Sequence, residues 1–367
     1  MPLEEVFETV VRAPLVRASL EPATNALYSL SLLDRASYLS GLGDWVTDTL
    51  QSMTPEEVER NRIVTNGLYL AVMPRRSWQS FSAYLKELAS APPERLQDKL
   101  LDAYLEKVRL AAGPGAAQDE LPDKQYLLSS VDRYIAFLRS HFSAPDLDEE
   151  VEEKAYSYVI DPPRMQNLIV THLREMWDRY LAVEWRRVEP MLQDVVKAFR
   201  QIDFSGKSLL EIGRIVTGQN LDTQKWERYI RNATRFVFIP NPHIGPYLGK
   251  VHSGDTLQIL FGARLPDGVE MDAPDLSRNE LLVRLGALYD DSRLRILQLV
   301  ARQGELRSQD IMQALNLSQS ATSRHLTQLT ATGYLDERRC DGAKCYSLDA
   351  ERLEDTLRAL RKFVLQY

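Results

Sequence analysis

The run Leu317-Ser318-Gln319-Ser320-Ala321-Thr322-Ser323-Arg324-His325-Leu326 decides how the last quarter of this 367-residue chain is read. Ser318 is a helix-capping residue. Thr322, Leu326 and Leu329 recur at helical spacing and form one stripe that packs inward. Gln319, Ser320, Ser323 and Arg324 are left near the N-terminal part of the opposite face. Arg pairs bidentately with guanine and Gln with adenine, while Ser contacts bases or phosphates. A helix N-terminus attracts phosphate in its own right.

Working outward, Ser308 caps a short helix to Leu315, Asn316-Leu317 makes a tight turn, and the helix capped by Ser318 runs to about Thr332. This is helix-turn-helix spacing. Gly333 ends the second helix, Tyr334–Arg339 and Lys344–Leu348 read as strands, and Asp341-Gly342 supplies the turn between them. Such a hairpin is a wing, and it gathers Arg338, Arg339 and Lys344 near its tip, where they can hold phosphates or enter the minor groove. A last helix spans about Glu351 to Leu365. Upstream, Leu281, Leu282, Leu285, Leu288 and Tyr289 mark one helix, and Asp290–Val300 marks another with Leu294, Leu297 and Val300 on one face.

Asp291-Ser292-Arg293-Leu294-Arg295-Ile296-Leu297, taken with Leu317–Leu326, resembles the ArsR family of winged-helix repressors. The resemblance implies a homodimer paired through the first and last helices of the module, with one recognition helix per operator half-site and repression as the sign of control. Many relatives sense metal through Cys-x-Cys in the helix before the turn. Here that stretch is Glu305-Leu306-Arg307-Ser308-Gln309-Asp310, without a thiol. Others hold zinc with Asp and His on the last helix, yet Leu353–Phe363 has no His to join Glu354 and Asp355. No metal site and no cofactor are therefore expected. The wing is slightly shorter than in common relatives, which leaves Arg338 and Arg339 as its best contacts.

Cys340 and Cys345 flank the wing turn. A turn at Gly342-Ala343 would set them opposite one another and allow a disulfide, whereas a turn at Asp341-Gly342 would not. In a cytosolic protein the expectation is two reduced thiols.

The rest of the chain is mainly α with small β elements. Thr54-Pro55-Glu56-Glu57 is a capping box with Pro in the first turn, and it starts a helix to about Val72. Further helices are expected over Trp78–Ala89, Pro93–Ala111, Pro122–Phe142, Leu147–Val159 and Pro163 to about Ile202, broken at Ala112-Gly113-Pro114-Gly115 and at Ser205-Gly206. Thr234–Pro240 and Asp255–Phe261 are rich in β-branched and aromatic residues and read as a strand pair. The Pro- and Gly-laden Asn241–Tyr247 between them reads as a loop able to gate a pocket. A short strand near Leu15–Ser19, many helices and then Phe236–Pro240 together resemble a subset of ArsR-type regulators with a poorly characterised N-terminal domain. Leu265–Asp275 has linker chemistry. The expected division is thus an α-rich regulatory, effector or dimerisation domain over 1–270 and a winged helix-turn-helix over 277–367.

Charge follows that division. From Ser277 onward there are 14 Lys and Arg against 12 Asp and Glu, a balance of +2, and the remainder carries −9 to give the chain's −7. Double-stranded DNA should therefore meet the C-terminal part. The longest apolar runs are cut by charges such as Arg284, so no membrane span is expected. Met1–Val10, with Glu4, Glu5 and Glu8, lacks the basic start of a secretory signal, and with only two cysteines the chain is expected in the cytoplasm.

Other chemistry is weakly signalled. Arg174, Trp177, Tyr180 and Trp185, with Tyr247 or His243, can line a cavity for a small-molecule effector or simply form core. His141, His172, His243, His252 and His325 show no metal-ligand spacing, and Asp148–Glu153 reads as a solvated acidic face. No catalytic cluster is legible, so the chain is not read as an enzyme. The competing readings are a winged helix that docks a protein partner by its polar face, and an enzyme with an accessory winged helix.

Overall fold

The computed structural model describes residues 15–112, 122–142, 147–219, 233–266, 274–340 and 342–365, together with Leu221, Trp226, Tyr229 and Ile230. The acidic start Met1–Val10, the break at Gly113-Pro114-Gly115, most of the expected linker (267–273) and the turn residue Asp341 lie outside the described residues. The chain is mainly α with two small sheets, and it divides into two units, one of 21–190 with 241–245 and the other of 1–20, 191–240 and 246–367.

The chain opens on β1 (Leu15–Ala18), and the helical unit then begins with α1 (Pro22–Arg35), in which every residue from Ala23 to Leu33 is buried. A helix buried all round is a core helix, not an amphipathic cover. The helices α2 (Asp44–Ser52), α3 (Pro55–Arg62), α4 (Tyr69–Val72), α5 (Phe81–Ser90), α6 (Pro93–Ala112), α7 (Lys124–Leu128), α8 (Val131–His141), α9 (Glu149–Val159) and α10 (Pro162–Met176) follow. Local capping chemistry sets their starts. The Thr54 hydroxyl accepts from the Glu57 N–H while the Glu57 carboxylate accepts from the Thr54 N–H. Ser80, Ser130, Asp148 and Asp161 cap α5, α8, α9 and α10 by accepting one backbone N–H each, without the reciprocal bond.

Two departures from regular helix interrupt the expected spans. Ile63–Gly67 forms a π-helical turn between α3 and α4. There a Cβ on Gly67 would come within 2.5 Å of the Ala155 side chain, so only glycine lets α9 pack this closely. Trp177–Leu181 is a second π turn between α10 and α11 (Ala182–Arg200), where one continuous helix was expected.

In the other unit, α12 (Leu209–Thr217) carries a Ser208/Glu211 capping box and ends on Gly218 at φ +70°. The expected strand pair is part of a four-stranded sheet in the order β1-β2-β4-β3. Here β1 runs parallel to β2 (Arg235–Asn241), with Leu15 opposite Arg235 and Ala18 opposite Phe238. The strands β3 (Leu248–Ser253) and β4 (Thr256–Gly262) form an antiparallel hairpin. Phe236, Phe238, Leu257, Ile259 and Phe261 pack with Val195, Phe199, Ile212, Val216 and Trp226.

The winged module follows with α13 (Pro274–Leu288), α14 (Asp291–Gln303), β5 (Leu306–Arg307), α15 (Ser308–Leu315), α16 (Gln319–Ala331), β6 (Leu335–Cys340), β7 (Ala343–Leu348) and α17 (Ala350–Leu365). Its sheet order is β5-β7-β6. Ala287, Ile296, Leu297, Val300, Ile311, Leu326, Leu329, Tyr334, Leu335 and Tyr346 form its core. Leu294, expected inward, is 50% exposed. The buried positions of α14 are Arg293, Ile296, Leu297 and Val300, so Leu297 and Val300 face inward as expected while Arg293 and Ile296 take the place of Leu294. Tyr334 is fully buried, and its hydroxyl donates to the Arg284 carbonyl (3.2 Å) or pairs with the Thr356 hydroxyl (3.0 Å), tying α13 to α17.

Candidate nucleic-acid interface

The turn between α15 and α16 is built locally. Asn316 ends α15 in the left-handed region at φ 54°, a conformation Asn tolerates better than most residues. The chain then turns into Ser318, whose hydroxyl accepts from the Ala321 N–H at 3.2 Å and so satisfies one open donor of α16. Thr322 is buried and its hydroxyl donates back to the Ser318 carbonyl at 2.9 Å. With Leu326 and Leu329 it fixes which face of α16 points inward.

That leaves Gln319, Ser320, Ser323 and Arg324 exposed on the outer face, together with Thr327, which the sequence reading did not single out. Thr327 follows Ser323 and Arg324 at the spacing of one helical turn, so its position was available from periodicity alone. Ser320 and Ser318 share a hydroxyl contact of 3.2 Å at the helix start.

Behind α16 lies a brace that sequence did not reveal. Arg293 is buried, and its guanidinium donates to the Ala287 carbonyl (2.6 Å), the Gly286 carbonyl (2.9 Å) and the Gln328 side chain (2.9 Å). One side chain therefore holds the end of α13, α14 and the middle of α16 in register. His325 is also buried there, with its Nδ1 3.9 Å from Asp290. Burial pulls the His325 pKa down, aided by Arg293 and Arg324, while Asp290 opposes. The imidazole thus stays neutral under the helix, and the outer cationic charge of α16 rests with Arg324.

In the wing, Arg339 stands directly opposite Lys344 across β6 and β7, and Arg338 stands opposite Cys345. Strand alternation sets Arg339 and Lys344 on one face and Arg338 on the other. Arg338 is engaged through Nε and Nη2 by the Glu305 carboxylate. Lys344 pairs with Glu337 at 2.8 Å. Arg339 is exposed and has no ion-pair partner among the described residues. The sequence placed three cations near the tip with Arg338 and Arg339 as the best contacts, whereas the structure engages Arg338 and Lys344 in ion pairs and leaves Arg339 exposed.

The same register sets Cys340 opposite Ala343, the arrangement expected to keep the two cysteines apart. They are nevertheless joined by a disulfide along the diagonal, with Cα atoms 6.1 Å apart. Cys340 and Cys345 lie on one face of the sheet as diagonal neighbours, and the strand twist brings this diagonal into disulfide range. The expectation of two reduced thiols is thereby corrected. Among the described residues, Glu305, Cys340 and Cys345 also form a group of possible metal ligands whose donor atoms lie within 4.8 Å of one another. In this structure both sulfurs are taken up by each other.

The helical unit holds a second polar cluster that sequence spacing did not predict. His243 Nδ1 lies 2.8 Å from the Ser29 hydroxyl, and His243 Nε2 lies 3.0 Å from Glu184 Oε1. Asn241 donates to Asn25 (2.7 Å) and Ser29 (3.1 Å) and accepts from the N–H groups of His243 and Ile244. Trp45 stacks on the His243 ring at 4.5 Å. Burial opposes the charge on Glu184, but hydrogen bonds and charges from His243 and Arg187 outweigh it and bring the carboxyl down to about 2. The order hydroxyl, imidazole, carboxylate is that of an activated nucleophile. Here all three groups are buried, and Ser29 sits inside α1. The cluster fastens 241–245 into the helical core, so the loop expected as a gate is anchored. Of the aromatic set on the α10–α11 stretch, Trp177 packs on Phe81 at 4.9 Å and Arg174 is exposed, while Trp45, stacked on His243, donates to the Tyr180 carbonyl at 3.2 Å.

No helix among the described residues is long and apolar enough to cross a membrane. The fold of 274–365 and its exposed polar helix define a winged helix-turn-helix. Residues 290–337 match the model of the bacterial regulatory protein family arsR. The chain is 50% identical over 52 residues to the arsenic resistance transcriptional regulator ArsR1 of Pseudomonas putida, covering 14% of this chain and 41% of that protein. It is 43% identical over 65 residues to ArsR2 of the same organism, covering 18% and 56%. It therefore spans about half the length of the curated relatives it matches. A solved fragment of a possible transcriptional regulatory protein from Mycobacterium bovis is 31% identical, over 24% of this chain and 94% of that one, with a TM-score of 0.19. The winged module is thus an ArsR-family helix-turn-helix, to which the chain adds a long N-terminal region. The family match ends at Glu337, just short of Arg338, Arg339 and Lys344.

Proposed function

We propose that the chain is a DNA-binding transcriptional regulator, a repressor that grips operator DNA as a homodimer through residues 277–367 under the control of the 1–270 region. The observation that carries this reading is the outer face of α16. Gln319, Ser320, Ser323 and Arg324 all face solvent at its N-terminal end, while Thr322, Leu326 and Leu329 anchor the opposite face. In this reading those four residues contact base edges in the major groove, Ser318 and the helix N-terminus orient on a phosphate, and Arg338, Arg339 and Lys344 serve the backbone beside the wing.

A second surface supports the homodimer. Leu282 on α13, Tyr289 just past its end, and Leu357, Val364 and Leu365 on α17 are exposed, with Tyr289 at 91%. An apolar set of this kind on the first and last helices of the module is what an isologous pairing of two copies would cover. A small-molecule effector is assigned to the 1–270 region because the winged module lacks the Cys-x-Cys of metal-sensing relatives at 305–310.

The test is selection of bound duplexes from a random-sequence library by the full chain, repeated with Arg324→Ala. A symmetric pair of half-sites about one helical turn apart is expected, with the variant losing preference at one position in each. Enrichment of no sequence by the unaltered chain would overturn the reading.

A further inference from the structure

We infer that the wing tip is a redox modification site, with Cys340 the thiol that meets a hydroperoxide and Cys345 the thiol that resolves it. This rests on the DNA-binding reading only for its consequence, since the chemistry is set by the hairpin itself. The disulfide closes a loop of just four residues, 341–344, and although Cys345 is buried, neither cysteine is part of the apolar cluster that Leu326, Leu329, Tyr334 and Tyr346 help to build. So short a loop takes little entropy from the unfolded chain, so the bond is poorly suited to be a structural staple.

The two sulfurs differ in access. Cys345 is buried at 3% exposure on the central strand of the sheet, paired on both sides by Arg307 and Arg338. Cys340 ends the edge strand beside the turn and is partly exposed. An oxidant therefore reaches Cys340 first. Its thiolate attacks the peroxide, an S–O bond forms as the O–O bond breaks, and the other oxygen leaves as water or alcohol. The Cys345 thiol then attacks the sulfenic sulfur, the S–S bond forms, and the hydroxyl leaves as water with the thiol proton. Two electrons pass from the thiols to the peroxide, and a dithiol reductant returns them by exchange.

The oxidation state acts on the cations that bracket the turn. The Glu305 carboxylate lies within 4.8 Å of both sulfurs and is also the group that holds Arg338. In the reduced wing any thiolate shares that neighbourhood with Glu305 and adds negative charge beside Arg338. The disulfide removes this charge. It also locks the ribbon that carries the Arg339–Lys344 rung, whose side chains then lose less freedom on meeting phosphate. The oxidised wing is therefore the tighter grip, by about three- to tenfold in affinity.

The experiment uses the full chain, reduced or treated with one equivalent of hydrogen peroxide. It reads thiols by alkylation mass spectrometry and affinity by fluorescence anisotropy on a labelled random-sequence duplex at low salt. Two alkylatable thiols before peroxide and none after are expected, with a dimedone adduct at Cys340 in Cys345→Ser, and tighter DNA binding that Cys340→Ser abolishes while reduced affinity is kept. Thiols that survive peroxide overturn the modification site whether or not DNA binds. Complete oxidation with equal affinity in the two states overturns the coupling. Failure of both states to bind duplex, with oxidation intact, counts against the DNA-binding reading while leaving the thiol chemistry supported.

Discussion

The winged module and the helical unit handle polar side chains in opposite ways. On α16 Gln319, Ser320, Ser323, Arg324 and Thr327 stand outward, while the buried Gln328 of the same helix receives Arg293 and holds it in place. In the helical unit a set of polar groups turns inward. His243 is locked between Ser29 and Glu184, and Lys99 donates to the carbonyls of Ala71 (2.7 Å) and Met73 (2.6 Å). Glu152 is buried between the hydroxyls of Tyr104 and Tyr134. A surface of unspent donors on a rigid helix is built to meet a partner, whereas buried and mutually satisfied groups specify one packing and resist change. Buried polar groups thus brace a displayed face in one region and fix the packing of the core in the other.

The largest effect is expected from the core of the module. Leu329→Ala empties a fully buried position beneath α16 and should cost about 2–5 kcal/mol of stability, read from urea unfolding. A loss below 1 kcal/mol would mean that α16 is held by its polar brace and not by packing.

Sequestered charge makes the helical unit sensitive to pH. Burial pushes the Glu152 carboxyl from 4.5 up to about 8, against the hydrogen bonds of Tyr104 and Tyr134. A folded pKa above the unfolded one means that the folded state holds the proton longer. Glu152 therefore favours folding most below about pH 4.5 and loses that contribution as pH rises to about 8. Glu152→Gln should gain on the unaltered chain across that window, by on the order of 5 kcal/mol in total. Lys99 runs the other way. Burial lowers its pKa from 10.5 to about 7, with Arg75 and Arg95 adding to the shift, so its contribution declines as pH falls through that range. A pH-independent gap between Glu152→Gln and the unaltered chain would show that Glu152 is not sequestered.

Displayed charge should instead leave stability alone. Arg324→Ala is expected to change unfolding free energy by less than about 0.5 kcal/mol while costing about 1–3 kcal/mol of discrimination at one base position. The smallest effect belongs to the wing. Lys344→Ala should weaken binding to all duplexes alike and lower the slope of log affinity against log salt by about one unit. Because Lys344 is partly neutralised by Glu337, Arg339→Ala should lower that slope at least as much. Equal loss of sequence preference from Arg324→Ala and Lys344→Ala would erase the distinction between reading and gripping.

The parts of this arrangement that were legible in the sequence are those fixed by local rules. Ser318 and Thr54 cap helices because their side chains reach a backbone N–H three residues on. The outward set on α16 follows from a helical period anchored by Leu326 and Leu329. What escaped depends on distant partners. Leu294 looked like core by spacing, but Arg293 takes the buried side of α14 because Gln328 and two carbonyls are there to receive it. Asn241–Tyr247 has the composition of a mobile loop, yet Asn25, Ser29 and Glu184, far away in the chain, supply the polar partners that let it be buried. The pairing of β1 with β2 joins residues more than two hundred positions apart, beyond the reach of any local pattern. The cysteine pair failed for a geometric reason, since register alone ignores the twist that closes a diagonal.

The central claim is that the exposed face of α16 reads a particular DNA sequence. Fluorescence anisotropy of the full chain on DNA from upstream of its own gene, against scrambled DNA of the same composition at physiological salt, tests it most directly. A preference of about 10³-fold or more, lost in Arg324→Ala, is the predicted result. Equal affinity for the two duplexes, unchanged by that substitution, would contradict it.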